Sequence, residues 1–176
     1  MILVGVFVLS AGHTVAGAGS GAIGYIIESI EARKVVNAVQ RYLVGKGHEV
    51  VIANVDKARS QGEYLTSVVK KANESNAELF VSIHFNGGKG QGSEVFTWRG
   101  KKTPQAVGVC EELHKIGFKK RGVKDGSHLY VISKTKMNAL LIEVCFVDTK
   151  SDYTLYKELG VNKVAQAIVR GILISQ

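Results

Sequence analysis

Four residues of this chain have the types and placements to do chemistry together: His13, Glu28, His84 and Glu143. His84 stands in Glu78-Leu-Phe-Val-Ser-Ile-His-Phe-Asn-Gly-Gly88, an apolar run that stops in Asn-Gly-Gly. That pattern predicts a buried strand ended by a turn. His13 follows another apolar run, on Ser10-Ala-Gly-His-Thr14. Open α/β sheets bind ligands at the carboxyl ends of their strands, where both histidines would lie. Glu28 opens a helix, where the dipole favours an acid. Two neutral imidazoles and a carboxylate make a His2Glu zinc set with a fourth position open to water. Zinc there would lower the pKa of a water and polarise a carbonyl. Glu143 is the single carboxylate in Ala139-Leu-Leu-Ile-Glu-Val-Cys-Phe-Val147. A buried charge is costly unless a metal, a partner or a raised pKa offsets it. As an acid outside the ligand set, Glu143 would take a proton from the attacking water and pass it to a leaving amine. Together these parts describe amide hydrolysis without a covalent intermediate. Each residue also has a plain structural alternative: a core histidine bonded to backbone, a glutamate bonded to a loop. No H-E-x-x-H is present, and the three ligands are spread over roughly seventy residues.

Positioning them requires strands at residues 2–9, 49–54, 78–86, 92–98, 128–132 and 139–147. Helices are expected at 28–44, 61–76, 104–116, 151–158 and 161–174. The first helix buries Ala32, Val35, Val36, Val39 and Leu43 at helical spacing, and Gly45 and Gly47 stop it. Leu65, Val68, Val69 and Ala72 mark the inner face of the second, and Ala106, Val109, Cys110 and Leu113 that of the third, which opens on Pro104. Val161, Val164, Ala165, Ile168 and Ile172 form the last stripe. Alternating helices and strands predict a single α/β domain. Its sheet, of about six strands, is mostly parallel or mixed, twisted and flanked by helices. The continuous apolar run around Glu143 predicts a strand covered on both faces, while 92–98 and 128–132 are the segments free to run antiparallel. Glycines 17, 19 and 21 lack the spacing of a G-x-G-x-x-G phosphate loop.

The composition is that of one globular domain: 176 residues, 45% hydrophobic and 22% charged. The net charge of +8 is concentrated in residues 99–136, where ten Lys or Arg face three carboxylates, a local +7. Such a patch attracts a polyanion. Aromatics do not interleave with it as in an RNA-binding surface, so nucleic acid is not the expected partner. Cys110 and Cys145 read as reduced and buried, one on a helix face and one in a strand. In a regular strand Cys145 would face the same side as Glu143. The amino-terminal apolar run is short and has no basic residue ahead of it, so it reads as a strand rather than a signal peptide. No stretch is long enough to span a membrane.

The residues in Ala11-Gly-His-Thr14, Glu28 heading a helix, Lys46-Gly-His48, Ser82-Ile-His-Phe-Asn86, Gly92-Ser-Glu-Val95 and Leu141-Ile-Glu-Val-Cys-Phe-Val-Asp148 carry a resemblance. Over nearly all its length the chain resembles the zinc-dependent N-acetylmuramoyl-L-alanine amidases of the Amidase_3 type, especially catalytic domains of phage endolysins. The resemblance implies that His13, Glu28 and His84 bind Zn2+ and that Glu143 is the catalytic carboxylate. It implies a peptidoglycan substrate, cut at the amide between N-acetylmuramic acid and L-alanine of the stem peptide. The family's acid sits at the helix start, nineteen residues before the glycine that Gly47 matches, which selects Glu28 over Glu31. Thr14-Val15 stands where the family often has a glycine pair, and the 15–27 loop departs from many members. Residues 1–176 are expected to be one catalytic domain with no wall-binding domain. A monomer is expected, made in the cytoplasm and acting at the wall, with the basic segment drawing it to wall anions. Rival readings are a carboxypeptidase-like zinc enzyme, a wall-binding module without activity and a Cys–His hydrolase using Cys145. Of the remaining polar residues, His48 and His114 are expected in solvent, His128 in a strand near the cleft, and Asn86 behind His84.

Overall fold

The computed structural model describes residues 4–17 and 19–174. A six-stranded mixed sheet forms the centre, in the order β3-β1-β5-β8-β6-β7. Its members are β1 (Val6–Ala11), β3 (Glu49–Ile52), β5 (Leu79–Asn86), β6 (Ser93–Thr97), β7 (Lys120–Asp125) and β8 (Asn138–Phe146). β1, β3, β5 and β8 are mutually parallel; β6 runs antiparallel to β8 and parallel to β7. A two-stranded ribbon pairs β2 (Ala16–Gly17) with β4 (Lys57–Ala58) beside the His13 loop.

Helices α1 (Glu28–Gly45), α3 (Pro104–Lys115) and α5 (Lys150–Ile172) cover one face of the sheet around the larger core. Helix α2 (Gln61–Glu74) and the short α4 (Tyr130–Lys134) cover the other. After β1 the chain goes out through α1 to β3, then returns through α2 to β5 on the far side of β1. The boundary between β1 and β5 is therefore the switch point at which α/β sheets open a crevice. α5 breaks at Gly160 (φ 73°), so residues 150–159 and 161–172 are two helical segments, as the sequence predicts.

Four expectations are corrected, the last of them the side on which Cys145 lies. The segment 128–132 is no strand: Val131 and Ile132 enter the smaller core from α4. Short apolar runs do not separate helix from strand. The sixth strand is instead β7, Lys-Arg-Gly-Val-Lys-Asp, whose mostly exposed side chains suit a charged edge and show no apolar alternation. His48 is buried, not solvated; its Nδ1 accepts from the Gly5 N–H at 3.1 Å and its ring meets Phe7 edge-on. The first strand begins at Val6, where pairing with Glu49 starts, so Val4 and Gly5 precede it; residues 2 and 3 of the expected strand lie outside the described residues.

Cys145 does not share the side of Glu143. The register passes from His84↔Glu143 to Asn86↔Phe146, so β8 carries one extra residue there. This bulge turns Cys145 into the larger core, where it is fully buried. Burial pushes its thiol pKa upward, helped by the carboxylates of Asp152 and Glu143. A thiol held neutral in that way is no nucleophile. Cys110 is also free and buried.

Candidate metal centre

The strand alternation places His84 and Glu143 on the α2/α4 side of the sheet. In β5, Phe80, Ser82 and His84 share that side; in β8, Leu141 and Glu143 do. Phe80 and Leu141 belong to the smaller core, and beyond them the core ends and a cleft of about 370 Å³ opens. His84 and Glu143 are register partners, so they stand side by side at its floor. His13, Asn86, Phe96 and His128 also line this cleft, with Tyr64 and Leu65 of α2 opposite.

Glu28 reaches in from the first turn of α1. Its Oε1 is 3.0 Å from His84 Nδ1 and 3.2 Å from His13 Nε2. One donor atom from each of the three residues lies within 4.8 Å of the others, so together they could hold a divalent ion. The other ring nitrogen of each histidine is already engaged: His13 Nδ1 with the Gly19 carbonyl at 2.9 Å, His84 Nε2 with Ser82 Oγ at 3.0 Å. Such outer contacts fix tautomer and ring orientation in metal sites. Glu28 also accepts from the Phe85 and Ala22 N–H groups. Burial works against its charge, but the hydrogen bonds to His13 and His84 outweigh that and hold its pKa far below the usual range. Burial likewise opposes protonation of His13, yet the Glu28 carboxylate prevails and raises its pKa.

Glu31 lies elsewhere. It accepts from the Tyr156 hydroxyl at 2.8 Å and pairs with Lys34 at 2.6 Å. Glu28 is thus the helix acid at the histidines.

Glu143 is the exception among the acids. Its Oε2 is buried without a hydrogen-bond partner among the described residues. Desolvation pushes its pKa well up, and the negative charges of Glu28 and Glu94 add to the shift. Glu94 is the register partner of Glu143 on its other flank, and its own oxygens are taken by Asn86 Nδ2 and Arg121 Nε, each at 2.8 Å. Asn86 therefore stands at the cleft and ties β5 to β6. A nearby cation would be the missing partner for Glu143 and would favour its ionised form.

The loop carrying His13 is held under strain. His13 has φ 66°, uncommon for any residue but glycine. Tyr64, buried in α2, fixes it: its hydroxyl accepts from the His13 N–H at 2.8 Å and donates to the Ala11 carbonyl. Arg33 of α1 donates to the His13 and Val55 carbonyls. Neither residue stands out in the sequence as part of the site. Tyr64 had a signal, since it continues the Val68 and Ala72 stripe at i, i+4 spacing; Arg33 had none.

The glycines here are sterically required. A Cβ on Gly21 would lie 2.7 Å from Glu28 Oε2 and 2.8 Å from the His13 ring. One on Gly12 would lie 2.4 Å from His84 Nδ1, the atom facing Glu28. Gly12→Ala is therefore expected to displace that imidazole and cut hydrolytic activity by about 10²-fold or more, the usual consequence of misplacing a reacting group by about 1 Å. Activity and metal content of the purified variant, with circular dichroism as the control for folding, check this.

His128 lines the cleft from the turn before α4 and meets Phe96 edge-on, with ring centroids 6.3 Å apart. His114 is exposed, its Nδ1 3.0 Å from the Phe118 carbonyl. Among the described residues, no helix is long and apolar enough to cross a membrane.

Comparison with known proteins agrees with this fold. An uncharacterised protein of Clostridium perfringens is 37% identical over 160 residues, covering 86% of this chain and 47% of that protein. The endolysin of Bacillus phage SPP1 is 30% identical over 175 residues, covering 93% of this chain and 63% of its own. The chain thus spans about half to two thirds of the length of these curated relatives. Among solved structures, the catalytic domain of the CD27L endolysin targeting Clostridia difficile superposes with a TM-score of 0.90 at 27% identity, over 97% of both chains. The sequence profile of Amidase_3, described as N-acetylmuramoyl-L-alanine amidase, matches residues 7–173, and the chain belongs to that family.

Proposed function

We propose that the chain is a zinc-dependent peptidoglycan hydrolase that cleaves the amide between the lactyl group of N-acetylmuramic acid and L-alanine of the stem peptide. The observation that carries this is the meeting of His13, Glu28 and His84 at one point, with the orphaned Glu143 beside His84 at the cleft floor. Two imidazoles whose outer nitrogens are tied down, with a carboxylate between them, fit zinc by donor type. When bound, the ion supplies Lewis acidity and makes a water nucleophilic at neutral pH.

The protein's own groups do the rest. Glu143, whose pKa burial and the neighbouring carboxylates raise, accepts a proton from the attacking water. It returns that proton to the amide nitrogen, so that L-alanine leaves as a neutral amine. The Glu94 carboxylate, bonded to Arg121 and Asn86, sets a negative charge beside Glu143. That charge helps hold the Glu143 pKa up and makes proton pickup favourable. Leu65, Phe96 and Leu129 give the cleft an apolar wall against which a stem peptide can lose water.

Mass analysis of digested, purified walls tests the assignment. Stem peptides with a new amino-terminal alanine, and glycan strands left uncut, are the expected products. Loss of a carboxyl-terminal residue from otherwise attached stems would instead identify a carboxypeptidase.

A further inference from the structure

A second cavity, of about 320 Å³, lies on the far side of α4 from the metal cleft. Leu129, Tyr130 and Val131 border the first; Ile132, Ser133 and Lys136 border the second. Strand β8 joins them, giving Glu143 to one and Asn138 to the other. Five residues of strand separate those two positions by about 16 Å.

The walls of this cavity carry positive charge. Lys101 and Lys136 both line it. Thr103, the N-cap of the twelve-residue α3, lines it too, so the positive end of that helix adds to the field. Trp98 forms part of the rim and is 46% exposed. The basic segment explains the charge. Lys115, Lys120 and Arg121 are neutralised by Glu112, Glu111 and Glu94. In contrast, Arg99, Lys101, Lys102, Lys124, Lys134 and Lys136 have no carboxylate at ion-pair distance among the described residues. Asp125, paired with Thr97 in the sheet, is occupied by Ser127.

We propose that this cavity binds a segment of an anionic polyol-phosphate polymer of the bacterial wall, with phosphates on Lys101 and Lys136 and the polyol against Trp98. The ligand class rests on the wall-hydrolase assignment; the site itself rests on the cavity and its charges. A chain with regularly spaced phosphodiesters matches the two lysines of the cavity, and its carbon backbone matches the one exposed aromatic side chain there, Trp98. Single-stranded nucleic acid is the poorer match, because successive bases call for successive stacking platforms and the rim offers one. The site would hold the enzyme on its insoluble substrate with the cleft one short span away.

Trp98 is the only tryptophan of the chain, so its fluorescence reports on this cavity directly. Titration with a poly(glycerol phosphate) chain is expected to give a saturable change. The Lys101→Ala/Lys136→Ala variant, which keeps Trp98 and the metal cleft, should bind about tenfold more weakly, in line with loss of two exposed charge contacts. Walls stripped of phosphodiester polymers should be cleaved several-fold more slowly than intact walls by the parent protein, and at an unchanged rate by the variant. No saturable change, or equal binding by the variant, would overturn the proposal. So would an equally strong response to oligothymidylate of the same charge, which would mean an indiscriminate polyanion patch. Saturable, lysine-dependent binding by a protein that cleaves no wall would keep the site and remove the hydrolase assignment.

Discussion

Glu143→Gln is expected to lower the rate of wall cleavage by about 10²–10⁴-fold, the range for loss of a positioned general acid–base, while metal content stays unchanged. The substitution is nearly isosteric, and Glu143 meets the proposed ligand set only as the register neighbour of His84 across the sheet. Glutamine cannot take up and return a proton. Retained lysis by this variant would remove Glu143 from the mechanism. The same variant has a second signature in the metal-free protein. The Glu143 pKa is raised in the folded state by burial and by Glu28 and Glu94. A raised group binds its proton more tightly when folded, so its contribution to stability is full below the unfolded carboxylate value near 4.5. That contribution fades as pH climbs through the higher folded value. Urea unfolding of the metal-free protein across this range should show the decline, and Glu143→Gln should make it shallower. An identical slope in both proteins would contradict the burial of an unpartnered carboxylate.

Glu28→Gln and Glu31→Gln should part company completely. The first keeps an oxygen for the Phe85 and Ala22 N–H groups but loses the charge between the two histidines. Metal affinity should drop by at least about 10²-fold, more than replacement of an outer contact produces, and activity should drop with it. The second keeps an acceptor for Tyr156 and loses one ion pair with Lys34, whose side chain is half exposed. Its cost is one ordinary contact, within about 1.5 kcal/mol of stability, with metal content intact. Metal analysis of both variants after dialysis decides; equal losses, or a loss confined to the Glu31 variant, would put the wrong acid at the centre.

The candidate centre was legible in sequence because its parts sit at punctuation marks. His13 and His84 each follow an apolar run that breaks into small, turn-forming residues, and Glu28 begins a periodic stretch. Those signals mark strand ends and a helix start without needing contacts. What sequence spacing leaves open is which marks converge, and that depends on strand order. β1 and β5 are neighbours at the switch point although the 38 residues from Gly12 to Glu49 and the further path through α2 separate them in the chain. Only the family resemblance implies that convergence; the structure supplies the distances.

The rest was hidden for identifiable reasons. β7 is an edge strand rich in lysine, so the alternation that betrays a half-buried strand is missing. α4 is one turn long, too short for a helical period to show. The bulge that moves Cys145 away from Glu143 adds one residue to one strand, and no residue type marks it. Tyr64 and Arg33 act on the His13 loop through backbone atoms, a role that spacing does not encode. His48 looked like a solvated residue after a turn because its acceptor role depends on Gly5, brought back by the pairing of β1 with β3.

The most direct measurement is a metal titration of the chelator-treated protein with activity read at each step. If the three side chains share one ion, activity on purified walls should rise linearly with zinc and stop at one equivalent per chain. His84→Ala should neither retain the ion nor respond to it. Full activity in a preparation shown to contain no metal would contradict the account at its root.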